Sequence, residues 1–190
     1  MALVPQLEEI RQEVNDINQR AAELCAGLSE EELAWRPEPG RWSVAENLLH
    51  LRVVAQVFLP AIDQAIEEAR RRNLYGQGPF DLGLMGRFYV WYVQPPVRIR
   101  LPSPEPLRPL LTGPATEALP QFLESQQWIV ERIEAANGLD LNRTRITSPL
   151  ASFVRMNLLA FFTVGNGHER RHLWQAENVR KQLPRLAARD

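Results

Sequence analysis

Gly165-Asn166-Gly167-His168-Glu169-Arg170-Arg171-His172 is the stretch whose reading separates two very different proteins. Taken as helix, it sets two histidines four residues apart on one face, about 5–6 Å apart at Cβ, so that both rings can reach one point. Taken as a literal motif, it matches H-E-x-x-H, in which a helix supplies two zinc ligands and the glutamate serves as the general base of a metalloprotease. A peptidase of that kind needs a third ligand downstream and a strand to bind an extended peptide. The short stretch after His172 offers only the poorly spaced Glu177, and no segment reads as a confident strand. The bundle-helix reading is therefore preferred. Glu169, about 100° round the helix from His168, is left as a group behind the histidines or on the solvent side.

The same helix extends in both directions. With His168 at 0°, Phe161, Val164, His172, Gln175 and Val179 all fall within about 40°, so both histidines share the core-facing stripe. A lone buried histidine is usually satisfied by a neighbour. Two imidazoles forced together in a core need a shared partner, and a divalent ion binding both as neutral ligands supplies one. Gly165 and Gly167 each cost about 0.8–1 kcal/mol relative to alanine in a helix. The pair either admits a close neighbour or ligand, or marks a local irregularity of the helix.

From the N-terminus, Leu7, Ile10, Val14, Ile17, Ala21, Leu24 and Leu28 recur in steps of three and four, a helix started by Pro5. Ser29 to Glu32 offers a capping box for a short second turn, broken by Arg36-Pro37-Glu38-Pro39-Gly40. A second capping box, Ser43 and Glu46, opens a long helix ending near Arg70-Arg71-Arg72, with Pro60 inside it as an expected kink. On this helix His50, the third and last histidine, lies beside Val54, Val57 and Ala61 on the shoulder of the apolar stripe, where it can look into a cleft between helices.

Residues 73–114 do not read as a bundle helix. Eight of the fifteen prolines lie from Pro95 to Pro120, after four glycines from Gly76 to Gly86. Such a long connection is a crossover or a lid. Within it, Phe88-Tyr89-Val90-Trp91-Tyr92-Val93 is too apolar to be left in water and is read as packing over one end of the bundle, with a pocket lining or dimer interface as the alternative. A third helix is expected from about Thr116 to Asn137, then a polar linker with an extended piece up to Ser148. Pro149 is read as announcing the last helix, from about Leu150 to Leu183. The expected architecture is all-α: a four-helix bundle, residues 1–190 as one domain, with a long Pro-rich crossover between helices 2 and 3.

Composition limits the function classes. The chain is 45% hydrophobic with a formal net charge of -1 and scattered arginines, so nothing in its electrostatics points to nucleic acid or an anionic membrane. A single cysteine, Cys25, excludes an internal disulfide and a cysteine-based zinc cluster, and reads as a small, partly buried apolar residue rather than a nucleophile. The N-terminal residues show no signal-peptide pattern, and no apolar run is long enough to span a bilayer, so a soluble, cytoplasmic protein is expected.

Trp42-Ser43-x-x-Glu46-x-x-x-His50-Leu51, followed after the long connection by His168-x-x-Arg171-His172-x-x-Gln175, resembles the DinB/YfiT-like superfamily, in particular its DinB-like branch. The similarity spans nearly the whole chain. It implies a four-helix bundle in which His50, His168 and His172 bind one divalent metal, nickel or zinc. It also implies activities of the S-transferase, isomerase or metal-dependent hydrolase type, low-molecular-weight thiols as partners, and frequent homodimers. Three neutral imidazoles would leave the ion its full +2 charge and an open position, able to bind water or a thiol and lower its pKa. The expected protein is thus a mononuclear metal enzyme, an S-transferase or hydrolase acting on a small molecule. The alternative is a non-catalytic bundle that binds a metal or small ligand.

Overall fold

A computed structural model describes residues 2–96 and 102–184. Met1, residues 97–101 of the Pro-rich connection and residues 185–190 of the expected 1–190 domain lie outside the described residues. The elements in order are α1 (Pro5–Cys25), α2 (Glu30–Ala34), α3 (Val44–Arg71), α4 (Gly83–Val93), two 3-10 turns (Glu105–Leu107 and Ala115–Glu117), α5 (Ala118–Ala135), β1 (Arg145–Ser148), β2 (Ala151–Asn157) and α6 (Leu158–Arg180). The chain folds as an all-α helical bundle carrying a small β-hairpin.

Four long helices carry the bundle. α1 packs on α5 and α6, and α3 packs on the same two, so α5 and α6 face each other across a diagonal. The stripe read on α1 is the buried one, from Leu7 to Leu24. Both capping boxes form: Ser29 with Glu32, and Ser43 with Glu46, each by reciprocal side-chain and backbone bonds. α3 runs unbroken through Pro60 to Arg71. The core falls into two apolar clusters, one around Leu7, Ile62, Ile133 and Leu158, the other around Leu48, Phe122 and Leu173. Along α5 and α6, the buried Ser125, Gln126 and Asn166 fall between the segments feeding these clusters.

Two expectations need correction. The last helix starts at Leu158, not near Leu150, because residues 151–157 form a strand antiparallel to β1, with Ser148 opposite Ala151 across a loop of Pro149 and Leu150. Pro149 therefore belongs to a hairpin turn. A short apolar run such as Leu150 to Met156 cannot be assigned by periodicity alone. The true start is marked by Asn157, whose Oδ1 accepts from Ala160 N at 2.8 Å. The second correction concerns helix number, since α2 and α4 bring the total above four.

α4 lies within the connection and packs along α6, not over the end of the bundle. A Cβ on Gly86 would stand 2.5 Å from that of Ala160, so the two helices touch almost backbone to side chain there. Val93 is buried, but Leu84, Phe88 and Trp91 stand 89%, 54% and 49% exposed, so much of this apolar segment does face water.

Candidate metal centre

His50 comes from the second turn of α3, His168 and His172 from successive turns of α6, and the packing of α3 on α6 brings all three together. Ring centroids are 4.4 Å apart for His50 and His172, 4.6 Å for His168 and His172, and 5.3 Å for His50 and His168. One ligand atom from each lies within 4.8 Å of those of the other two. His50 and His172 are buried, and His168 is partly exposed as a residue. The shoulder position read for His50 is thus a position in the cleft between α3 and α6.

Two of the rings are held by acceptors. His50 Nδ1–H donates to the carbonyl oxygen of Leu107 at 2.7 Å. His172 Nδ1–H donates to Asn47 Oδ1 at 3.1 Å, and Asn47 Nδ2 donates in turn to the Ser43 carbonyl at 2.9 Å. A carbonyl oxygen only accepts, so each of these nitrogens carries the proton and each Nε2 keeps its lone pair. Among the described residues, no hydrogen bond holds either nitrogen of His168, and no carboxylate bonds a histidine of the cluster. The Trp42 ring packs 4.7 Å from His50 and 5.7 Å from His172, walling this pair.

Burial favours neutral imidazoles. It pushes His168 down to about 3, with the charges of His50 and Arg171 acting in the same direction. His172 lies well below the ordinary range, through burial first and then His168, His50 and Arg171. His50 is also lowered by burial, partly offset by its bond to Leu107. Three neutral imidazoles at this separation, two with their outer nitrogens already bonded, are a fitting donor set for a divalent ion such as zinc or nickel.

Glu169 does not face solvent. Its Oε1 accepts from Gln126 Nε2 at 2.7 Å across the α5–α6 diagonal, and its Oε2 is buried with no hydrogen-bond partner among the described residues. Burial pushes its carboxyl up to about 7, against the Gln126 bond and the charge of Arg170. Gly167 admits a close neighbour, since a Cβ there would lie 2.8 Å from Val93 Cγ2, whereas nothing lies within 4 Å of one at Gly165. Cys25 behaves as read: partly buried, its thiol pushed up to about 11 by burial.

Sequence reasoning missed several contributors. Asn47 carries a signal, being a polar side chain on the buried side of a helix, one turn before His50. Arg171 is quoted in the motif but given no role there; it is buried against the Tyr92 ring, its guanidinium carbon 5.5 Å from the centroid, which its charge gives no reason to expect. The Leu107 carbonyl carries no signal, because any residue supplies one.

A helical bundle with a three-histidine cluster able to coordinate a metal ion is the class that fold and site define. The model of the DinB superfamily matches residues 14–176, and the chain belongs to that superfamily. Comparison with curated proteins and with solved structures finds no significant match in either.

Proposed function

We propose that the protein is a mononuclear metal enzyme, an S-transferase or hydrolase, in which His50, His168 and His172 hold one divalent ion, nickel or zinc. The observation that carries this is the convergence of the three ligand atoms within 4.8 Å, two of their rings locked with Nε2 free. An ion held by neutral imidazoles supplies undiminished positive charge, which lowers the pKa of water or a thiol near neutral pH. The chain's own residues do the rest. The Leu107 carbonyl orients His50, Trp42 walls the His50–His172 pair, and the partly exposed His168 side admits a small molecule. The setting is cytoplasmic, and a low-molecular-weight thiol is the co-substrate of the transferase form. The exposed Leu84, Phe88 and Trp91 of α4 offer an apolar surface on which a homodimer would form.

The test is to load the protein with nickel or zinc and assay thiol addition to electrophiles and hydrolysis of simple esters and amides. Activity in one panel that His50→Ala abolishes supports the reading. Inactivity of the loaded protein in both panels would favour the non-catalytic binder.

A further inference from the structure

The outer contacts of the three histidines are unequal: His50 meets a backbone carbonyl, His172 meets a side chain, and His168 meets neither among the described residues. Asn47 is buried, at 2% exposure, one turn before His50 on α3. Its amide is not free to turn over. Nδ2 donates to the carbonyl of Ser43, so Oδ1 is the atom presented to His172 Nδ1. Ser43 is itself fixed as the N-cap of α3, its N–H bonded to Glu46 Oε2 at 2.9 Å and its Oγ accepting from Glu46 N at 3.1 Å. Glu46 is held by Arg36, whose Nε donates to Oε2 at 2.8 Å. A chain of fixed groups therefore runs from the capping box to a ring nitrogen on α6.

We propose that Asn47 is a positioning residue, which holds His172 in the Nδ1–H tautomer and aims its Nε2 lone pair at the point the three histidines share. Its use in ion binding rests on the metal reading above; the tautomer does not. An acceptor behind a ligating imidazole fixes ring orientation and raises ligand basicity, and losing it typically costs 10–100-fold in metal affinity. Leu107 does the same for His50 through a backbone carbonyl, which no substitution at that position removes. His168 has no such bond among the described residues and serves as an internal control.

The experiment uses the full chain, stripped of metal and labelled with 15N. Two-bond nitrogen–proton correlation spectra report which imidazole nitrogen carries the proton. In the wild type His172 should show a protonated Nδ1 and a bare Nε2. In Asn47→Leu that pattern should give way to a mixture, while Asn47→Asp, which keeps an acceptor in place, should preserve it. Zinc dissociation constants by chelator competition should weaken about 10–100-fold in Asn47→Leu and stay within a few-fold in Asn47→Asp. A wild-type His172 protonated at Nε2 overturns the proposal, even if Asn47→Leu fails to fold. So does an Asn47→Leu variant with unchanged tautomer and unchanged zinc affinity. If the wild type binds no zinc but shows the tautomer, the metal reading fails while the positioning of the ring by Asn47 stands.

Discussion

Two glycines two residues apart on α6 should respond oppositely to the same added methyl group. Gly165→Ala replaces a helix-interior glycine at a position where nothing lies within 4 Å of the new Cβ. The helix gains about 0.8–1 kcal/mol from the lower backbone entropy of the unfolded chain, with no steric charge against it. For a protein of this size that corresponds to a melting midpoint raised by roughly 2–4 °C. Gly167→Ala gains the same propensity, but its Cβ would sit 2.8 Å from Val93 Cγ2, with Gln94 Cγ at 3.7 Å and Arg170 Nη2 at 3.8 Å. Valine is short and β-branched, so relief must come from moving the end of α4 away from α6. Overpacking of that kind costs about 1–3 kcal/mol, leaving Gly167→Ala neutral to destabilised by about 2 kcal/mol. Urea unfolding of both variants in chelator-containing buffer measures the difference. Adding Val93→Ala to Gly167→Ala should recover stability, where Val93→Ala alone loses it, the non-additivity expected of residues in contact. A Gly167→Ala protein as stabilised as Gly165→Ala would refute the close approach of α4 to α6.

Other perturbations have defined outcomes. The three histidines have folded pKa values below the ordinary 6.5, so below that pH the unfolded metal-free chain binds more protons than the folded one. Their contribution is complete above pH 6.5 and is lost as pH falls, for His168 over the range down to about 3, which denaturant midpoints at stepped pH would record. Glu169 acts in the opposite sense, its raised pKa contributing stability below 4.5 that is lost as pH rises through about 7. Glu169→Gln should therefore stabilise the protein at pH 8, on the order of 1–3 kcal/mol, and have little effect at pH 4. A loss of stability at pH 8 would contradict its buried placement. Ser43→Ala should lower stability by about 1 kcal/mol through the lost cap on α3, read from urea midpoints. Zinc at 100 times its dissociation constant should add about 2.7 kcal/mol to wild-type stability and nothing to His50→Ala.

Much of the bundle was legible because its helices are amphipathic and punctuated. Leu7 to Leu24 keep one face, and Ser43 with Glu46 marks the start of α3 by chemistry that works locally. The hairpin was hidden because Leu150 to Met156 is a short apolar run in which strand and helix periods cannot be told apart, and because a lone asparagine such as Asn157 suits a turn as well as a helix cap. α4 was hidden for another reason. Its apolar residues surround the helix instead of forming one stripe, and its fit to α6 depends on Gly86 and Gly167, whose partners are far away in sequence. At the site, His168 and His172 were legible from spacing alone. His50 joined them through the resemblance, since shoulder position on another helix does not specify what it meets. Glu169 shows the limit of a wheel diagram: 100° from His168 leads to a diagonal contact with Gln126, which no single-helix projection contains.

A metal centre at this site requires that the three histidines share one ion. Protein purified without a nickel column and equilibrated with zinc should hold one ion per chain by mass spectrometry, and zinc-edge X-ray absorption should show imidazole nitrogens at about 2.0–2.1 Å. His50→Ala, His168→Ala and His172→Ala should each remove that ion. Zinc that binds with unchanged stoichiometry and nitrogen coordination in all three variants, or no zinc at all under replete conditions, would contradict the metal centre.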